Sequence, residues 1–132
     1  MTIYKPNNKP TIKKINEYDQ EYGVYYRFQF EDWEMGTKSW GMIYSTEEEA
    51  REAYKEDGLD PDDAILNGKS CCSTFKELTN HDFSFGEGFV VLVLSGDYVE
   101  EGHDGEDVVD VDQILEIWSW EDYEKMCRKL YA

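Results

Sequence analysis

The feature that most constrains the fold is an apolar run in the second half of the chain. Residues Gly88 to Ser95 read GFVVLVLS, so a strand formed by this run is apolar on both of its faces. A strand exposed on one side alternates apolar and polar residues, whereas an uninterrupted β-branched run between turn residues is typical of a strand buried on both sides. We therefore expect this run at the centre of a sheet.

Other segments predict the neighbours of this strand. Residues Gly23 to Glu31 alternate between large apolar and more polar side chains, which is the period-two pattern of a half-buried strand. A turn at residues 34–37 then leads to Lys38 to Tyr44, and the two segments together predict an antiparallel hairpin. Val108 to Val111 and Ile114 to Trp118 predict one bent strand or two short ones. The loop between Gly96 and Gly105 is expected to be acidic and glycine-rich.

The helices are predicted from capping signals and apolar spacing. The predicted helices cover residues 46–57 ending at Gly58, a short stretch at 60–66, residues 74–80 capped by Ser73, and a terminal segment capped by Ser119 in which Trp120, Tyr123, Cys127 and Leu130 pack into the core. Because Pro6 and Pro10 interrupt the N-terminus, residues 1–15 predict an extended basic arm or edge strand.

These elements predict one α+β domain over residues 1–132, with a mainly antiparallel sheet of about four to six strands covered by two or three helices. A chain of 132 residues is the usual size of a single domain. Its content of 40% hydrophobic and 15% aromatic residues exceeds what a disordered acidic chain contains.

Charge is the strongest departure from average composition. The chain has 30 acidic and 13 basic residues, a formal net charge of −17, and no Lys or Arg between Asp97 and Glu124. Such a protein repels nucleic acid and anionic membranes and attracts basic surfaces. We therefore expect no direct binding to nucleic acid or membrane, and either a basic partner or a surface that serves solubility alone.

The compartment and the cofactors are predicted from what the sequence lacks. No apolar stretch approaches the roughly 18 residues of a membrane span, and the segment MTIYKPNNKP has no export-type apolar region. Three cysteines, Cys71, Cys72 and Cys127, form no disulfide framework and no C-x-x-C motif. These features favour a cytoplasmic protein with reduced thiols, no zinc site and no cofactor.

The candidate site is a cluster of eight carboxylates without a compensating base. Its members are Asp97, Glu100, Glu101, Asp104, Glu106, Asp107, Asp110 and Asp112. Exposed charges closer than the Debye length of about 8 Å repel one another, and cations, raised pKa values or a basic partner relieve that repulsion. The spacing lacks the glycine and glutamate positions of an EF-hand loop, and acid-base chemistry by paired carboxylates has no specific signature here. Glu116, Glu121, Asp122 and Glu124 are assigned to the solvent side and capped start of a packed strand and helix.

A basic protein surface is the remaining possibility for these carboxylates. If Asp110 and Asp112 share a strand face, two rises place them about 6.7 Å apart, on the order of the charge spacing along a nucleic-acid backbone. Exposed aromatic side chains such as Tyr98, Trp118 or Trp120 would complete such a polyanion-like face.

A short acidic α+β chain rich in Tyr and Trp, with no catalytic signature, resembles the small proteins that phages and mobile elements direct against host nucleases, notably DNA-mimicking anti-CRISPR and anti-restriction proteins. The resemblance covers the whole chain in character and rests on no shared motif. It implies a non-enzymatic inhibitor in the host cytoplasm. The implied partner is the basic nucleic-acid-binding channel of a defence nuclease such as an RNA-guided nuclease.

Two alternatives remain. The first is an immunity protein or antitoxin, in which the same acidic face neutralises a basic toxin. The second is an enzyme, because Arg27, Ser73 and Glu106 resemble the Arg, Ser, Glu order of one class of ADP-ribosyltransferases, in which these positions would hold NAD and stabilise the transferred ribosyl group. The departure from that class lies at Ser73-Thr74, which is expected to cap a helix rather than to stand in a strand.

Overall fold

A computed structural model describes residues 2–32, 47–63, 69–102 and 105–131. In chain order the elements are α1 (Ile12–Gln20), β1 (Val24–Phe30), α2 (Glu47–Glu56), β2 (Lys69–Cys71), α3 (Phe75–Asn80), β3 (Phe89–Glu101), β4 (Asp107–Ser119) and α4 (Trp120–Tyr131), with short 3-10 helices at Pro61–Asp63 and Asp82–Ser84. The strands form one four-stranded antiparallel sheet in the order β1-β3-β4-β2. The predicted α+β class is confirmed. The predicted strand at 38–44 lies outside the described residues.

Strand β3 occupies the position that its apolar run predicts. It pairs with β1 along Phe89 to Ser95 and with β4 along almost its whole length. Val90 to Leu94 are at most 1% exposed, because apolar groups cover both faces of the sheet here. Val91 and Val93 join a core with the helices, and the alternate residues join a second cluster with Tyr4, Tyr25 and Cys71.

Strand β1 is buried on both faces, which corrects the half-exposed strand that its alternation predicts. Arg27 and Gln29 are only 3% and 5% exposed. The Arg27 guanidinium donates hydrogen bonds to the Gln29 side-chain oxygen at 3.0 Å and to the Ser70 carbonyl at 2.9 Å. Polar spacing along β1 thus marks a polar part of the interior rather than a solvent face.

The two ends of the strand order also meet. Tyr26 and Cys72 exchange two backbone hydrogen bonds of 2.8 Å, so the chain just after β2 joins β1. The sheet therefore curls round until its first and last strands touch. This closure gives backbone partners to an edge of β1 that the strand order alone would leave open.

Three helices, α1, α3 and α4, cover one face of the sheet. Their buried side chains form one core with Tyr26, Phe28 and Trp118 of the strands. The helical residues in that core are Ile15, Phe75, Leu78, Tyr123 and Met126. The Ser119 hydroxyl accepts from the Asp122 backbone at 3.1 Å, so the predicted cap of α4 is confirmed. For α3 the cap is Thr74 instead of Ser73, since the Thr74 hydroxyl accepts from Glu77 N.

The last part of the expected N-terminal arm belongs to α1. Thr11 caps this helix by accepting from Lys14 N at 3.1 Å, and the two prolines precede the cap instead of interrupting the helix. The segment before it is extended and fixed in place, because Ile3 and Tyr4 donate to the Glu31 carbonyl at 2.8 Å and Tyr4 is 8% exposed.

Glu116 is buried, which corrects its assignment to the solvent side of β4. It is 5% exposed, and its carboxylate accepts from the Tyr18 hydroxyl and, at 3.1 Å, from Trp118 Nε1. Burial and the neighbouring Glu116 raise the pKa of Tyr18 well above its ordinary value. The carboxylate therefore joins α1 to the sheet through the half-buried Tyr18 hydroxyl, and it also serves the buried Trp118 Nε1 of its own strand.

Candidate acidic binding surface

The predicted acidic loop is mostly a two-stranded ribbon, which corrects its assignment as a loop. Strand β3 continues to Glu101 and β4 begins at Asp107, so only the residues between them connect the strands. Gly102 N donates to the Glu106 carbonyl at 2.7 Å, and Gly105 takes a positive φ of 82°. We call residues 96–101 and 107–112 the acidic ribbon.

Gly96 marks the point where the ribbon leaves β1. Its backbone N–H donates to the Gly23 carbonyl at 3.0 Å, and the pairing of β1 with β3 ends at the preceding residue. A Cβ at Gly96 would collide with the Asp110 carbonyl oxygen and lie 2.7 Å from Val109 Cγ1. Only glycine therefore permits this close approach of the two strands.

The two outer edges of the ribbon are largely open within the described part of the chain. No described strand pairs with β3 beyond Ser95 on the β1 side, and β2 pairs with β4 only from Asp107 to Val109. Tyr98 and Val99 are 49% and 43% exposed. The ribbon thus offers unpaired backbone groups and apolar side chains beside its carboxylates.

The structure places most of the eight predicted carboxylates on this ribbon and its turn. Asp97, Glu101, Asp110 and Asp112 are exposed, whereas Glu106 and Asp107 are half-buried. Glu100 lies in β3 opposite Val108, and its side chain is outside the described part, as is the whole of Asp104. Of the aromatic residues named with them, Tyr98 is exposed, Trp118 is fully buried and Trp120 is half-buried, so the prediction for Trp118 was wrong.

The ribbon opposes like charges across its two strands. Asp97 is the direct partner of Asp110, and Glu101 is the direct partner of Asp107. Side chains directly opposite in an antiparallel pair have Cβ atoms about 4.5–5.5 Å apart, and like charges there destabilise the pair. Burial raises the pKa of Asp107, and the nearby carboxylates of Glu77, Glu101 and Glu106 raise it further. The folded chain therefore holds carboxylates closer than their own electrostatics favour.

Bulges set this arrangement. The pairing of β3 with β4 shifts register between Val93 and Leu94, between Ser95 and Gly96, and between Tyr98 and Glu100. Asp112 lies at the second shift and has no direct partner on β3. The predicted spacing between Asp110 and Asp112 assumes a regular strand, and the bulge at Asp112 interrupts that regularity.

The fold brings a lysine to the base of the ribbon. Lys69 pairs with Val109 across β2 and β4 and is 5% exposed. Its pKa is lowered to about 8, mainly by burial and then by the positive charge of Arg27, while Cys71 and Asp110 act in the opposite direction. Sequence proximity gives no sign of this contact, since 40 positions separate residues 69 and 109.

The proposed NAD-binding residues do not form an open site. Arg27 is buried inside the sheet, where its guanidinium is hydrogen-bonded as described above. The Ser73 hydroxyl donates to the Glu77 carboxylate at 3.1 Å, next to the cap of α3. Since an arginine that binds NAD must reach the dinucleotide, this placement gives the ADP-ribosyltransferase interpretation no support.

Cys71 ends β2, and Cys72 follows it and pairs with Tyr26 of β1. Cys71 and Cys72 are buried thiols, and burial raises the pKa of each to about 12. Thiols of such high pKa are weak nucleophiles and weak metal ligands at neutral pH. Within the described residues there is no group of three or more His, Cys, Asp or Glu side chains placed to hold a metal ion.

Comparisons with known proteins add no relative to this picture. No family model matches the chain, and no curated protein or solved structure is significantly similar to it. Among the described residues, none of the helices has the length and apolar character needed to span a membrane.

Proposed function

We propose that this protein is a non-enzymatic inhibitor that binds the basic nucleic-acid-binding surface of a host defence nuclease through its acidic ribbon, by imitating nucleic acid. The observation that carries the proposal is the two directly opposed pairs of carboxylates, Asp97 with Asp110 and Glu101 with Asp107. The fold concentrates negative charge even though the repulsion lowers its stability. Such a negative surface is attracted by a cationic groove on a partner.

The surroundings of these pairs support the proposal. The ion pairs within the described part of the chain join residues of α1, residues of α4, and α2 with the neighbouring 3-10 helix. None of these ion pairs involves Asp97, Glu101, Asp107, Asp110 or Asp112, although the buried Lys69 attracts Asp110. The exposed Tyr98 and Val99 add apolar contact area between the charges, as is common at protein interfaces.

The first test reverses one charge in each opposed pair. In the variant Asp97→Lys/Glu101→Lys, each lysine faces a carboxylate across the ribbon, so the fold gains two attractive pairs while the negative face is broken. The control Glu52→Lys/Glu56→Lys changes the net charge equally at two exposed positions of α2. We expect the ribbon variant to lose partner binding and the α2 variant to retain it.

The assay is a pull-down from bacterial lysate at low salt, followed by identification of the captured protein and competition with DNA or RNA. A captured RNA-guided or restriction nuclease that nucleic acid displaces supports the proposal, and binding should weaken steeply as salt rises. Capture of a basic toxin instead would favour the immunity-protein alternative. Equal binding by the ribbon variant and the wild type would refute a role for the ribbon with either partner.

A further inference from the structure

A concave site lies at the opposite end of β3 from the acidic ribbon. It is a cavity of about 260 Å³ between the start of β3, the end of β4, the start of α4 and the N-terminal segment. Phe89 and Glu101, the first and last residues of β3, are separated by twelve rises of about 3.3 Å, or about 40 Å along the strand. The cavity is therefore separate from the acidic ribbon.

The inner wall of the cavity is apolar and aromatic. Pro6, Phe89, Val90 and Trp120 contribute to its lining. Packing holds both rings in place, since Phe89 lies 4.1 Å from the Phe30 ring and Trp120 lies 5.0 Å from the Tyr123 ring, measured between centroids. Fixed aromatic faces of this kind attract cations, most strongly where water is excluded.

The remaining lining is acidic. Glu31, Glu87, Glu121 and Glu124 line the cavity, and none of the described residues in the lining is Lys, Arg or His. Glu31 is half-buried and the other three are exposed, so the carboxylates stand mostly around the mouth. Glu121 also forms an exposed ion pair with Lys125 at 3.1 Å. Exposed ion pairs contribute little free energy, so a cation bound in the cavity can replace Lys125 as the partner of Glu121.

The size and shape of the cavity select the kind of cation. In the described part of the chain these carboxylates do not form a group of three placed to hold a metal ion. They lie around the cavity rather than close to one common point, so they suit a larger cation better than a single metal ion. A volume of about 260 Å³ is below the roughly 300–1,000 Å³ of pockets for drug-sized ligands. A compact organic cation on an apolar stem fits both conditions.

We propose that this cavity binds a guanidinium or alkylammonium group, with its apolar stem against Phe89 and Trp120 and its charge among the four glutamates. The chemistry is that of an arginine or lysine side chain, presented by a protein or carried by a free small molecule. The site does not depend on the proposed function of the ribbon.

The test is a titration of ¹⁵N-labelled protein, followed through the backbone amides of Gly88, Trp120 and Glu121. The probes are arginine amide and citrulline amide, which has nearly the same shape but carries an uncharged urea in place of the guanidinium. We expect saturable shifts with arginine amide and none with citrulline amide. Equal responses to the two probes, or no saturable response to arginine amide, would overturn the proposal.

Charge-matched variants separate this site from general attraction to an acidic protein. Glu87→Gln/Glu124→Gln should weaken binding of arginine amide by roughly three- to ten-fold, as expected for two partly screened charge contacts. Asp97→Asn/Asp112→Asn removes the same charge from the ribbon and should leave the affinity unchanged. An equal loss of affinity in both variants would show that binding depends only on net charge, and it would contradict a specific site in this cavity. The amide spectra themselves report whether each variant is folded.

The source of the cation is decided by a second pair of probes. Agmatine presents the guanidinium on a free chain, and acetyl-Gly-Arg-Gly-amide presents it on a peptide backbone. Binding of agmatine alone supports a small-molecule site, whereas binding of the peptide supports a site for a protein side chain. Failure of both probes to shift Trp120 and its neighbours would contradict the proposal, whatever the outcome of the ribbon experiments.

Discussion

Neutralising one member of each opposed carboxylate pair should stabilise the protein. In Asp97→Asn/Asp107→Asn the partners Asp110 and Glu101 remain charged and face neutral amides. Two unit charges about 6 Å apart in water repel by about 0.7 kcal/mol, within the roughly 0.2–1 kcal/mol of cross-strand pairs. Relief of both pairs should raise the free energy of unfolding by about 1 kcal/mol. With a urea m-value of about 1–3 kcal/mol/M, the midpoint should then rise by roughly 0.5 M.

Three controls make this result specific. Asp112→Asn removes the same charge from the same ribbon but has no direct partner on β3, so its effect should stay within about 0.5 kcal/mol. In 1 M salt, where the Debye length is about 3 Å, the gain of the double variant should largely disappear. Because the pKa of Asp107 is raised in the folded state, its unfavourable contribution is present at neutral pH and fades as pH falls through that pKa. The gain should therefore shrink toward acidic pH. A double variant no more stable than the wild type at low salt and pH 7 would refute the reasoning.

Three further outcomes follow from packing and burial. Gly96→Ala should lower the free energy of unfolding by about 1–3 kcal/mol because its Cβ would meet the Asp110 carbonyl, whereas Gly86→Ala, which meets nothing within 4 Å, serves as the urea-denaturation control. Glu116→Ala should cost about 2–4 kcal/mol in the same assay, since it leaves the Tyr18 and Trp118 donors without their acceptor; a loss below about 1 kcal/mol would contradict this role. At pH 8, Cys71 and Cys72 should react with a thiol reagent at least about a hundred-fold more slowly in native than in urea-unfolded protein, because burial raises the pKa of both thiols and lowers their thiolate fraction; equal rates would show that these thiols are not buried.

The sequence predicts those parts of the fold that depend on the hydrophobicity or the capping residues of a single segment. The apolar run of β3 fixes its central place because no other arrangement hides both of its faces. The Ser119 cap of α4 follows from short-range hydrogen bonding that the sequence displays directly. The alternation in β1 misleads, because burial of Arg27 and Gln29 depends on the bridge between Tyr26 and Cys72, which joins residues 46 positions apart.

The candidate site shows the same division. Composition predicts an excess of carboxylates between Asp97 and Asp112, yet the opposed pairs depend on register, and the register depends on bulges that the sequence does not announce. Gly96 is the clearest local signal in that segment, since a glycine inside a strand pattern often marks close backbone approach. The sequence between Asp97 and Asp112 does not predict that Lys69 lies nearby, because Lys69 belongs to a different strand, β2.

The opposed pairs also bear on why the ribbon is so acidic. Charged side chains on open strand edges prevent unwanted pairing with other chains, and the edges of β3 and β4 would benefit from such protection. Protection of the two edges needs a charge on each strand, but it does not require the two carboxylates to stand directly opposite each other across the ladder. Asp97 with Asp110 and Glu101 with Asp107 place carboxylates on both strands, where each repels its partner. This geometry weakens the free protein even though the buried Lys69 attracts Asp110. The proposed basic partner would supply positive charge along the whole ribbon, and it would account for a direct opposition of carboxylates that edge protection does not require.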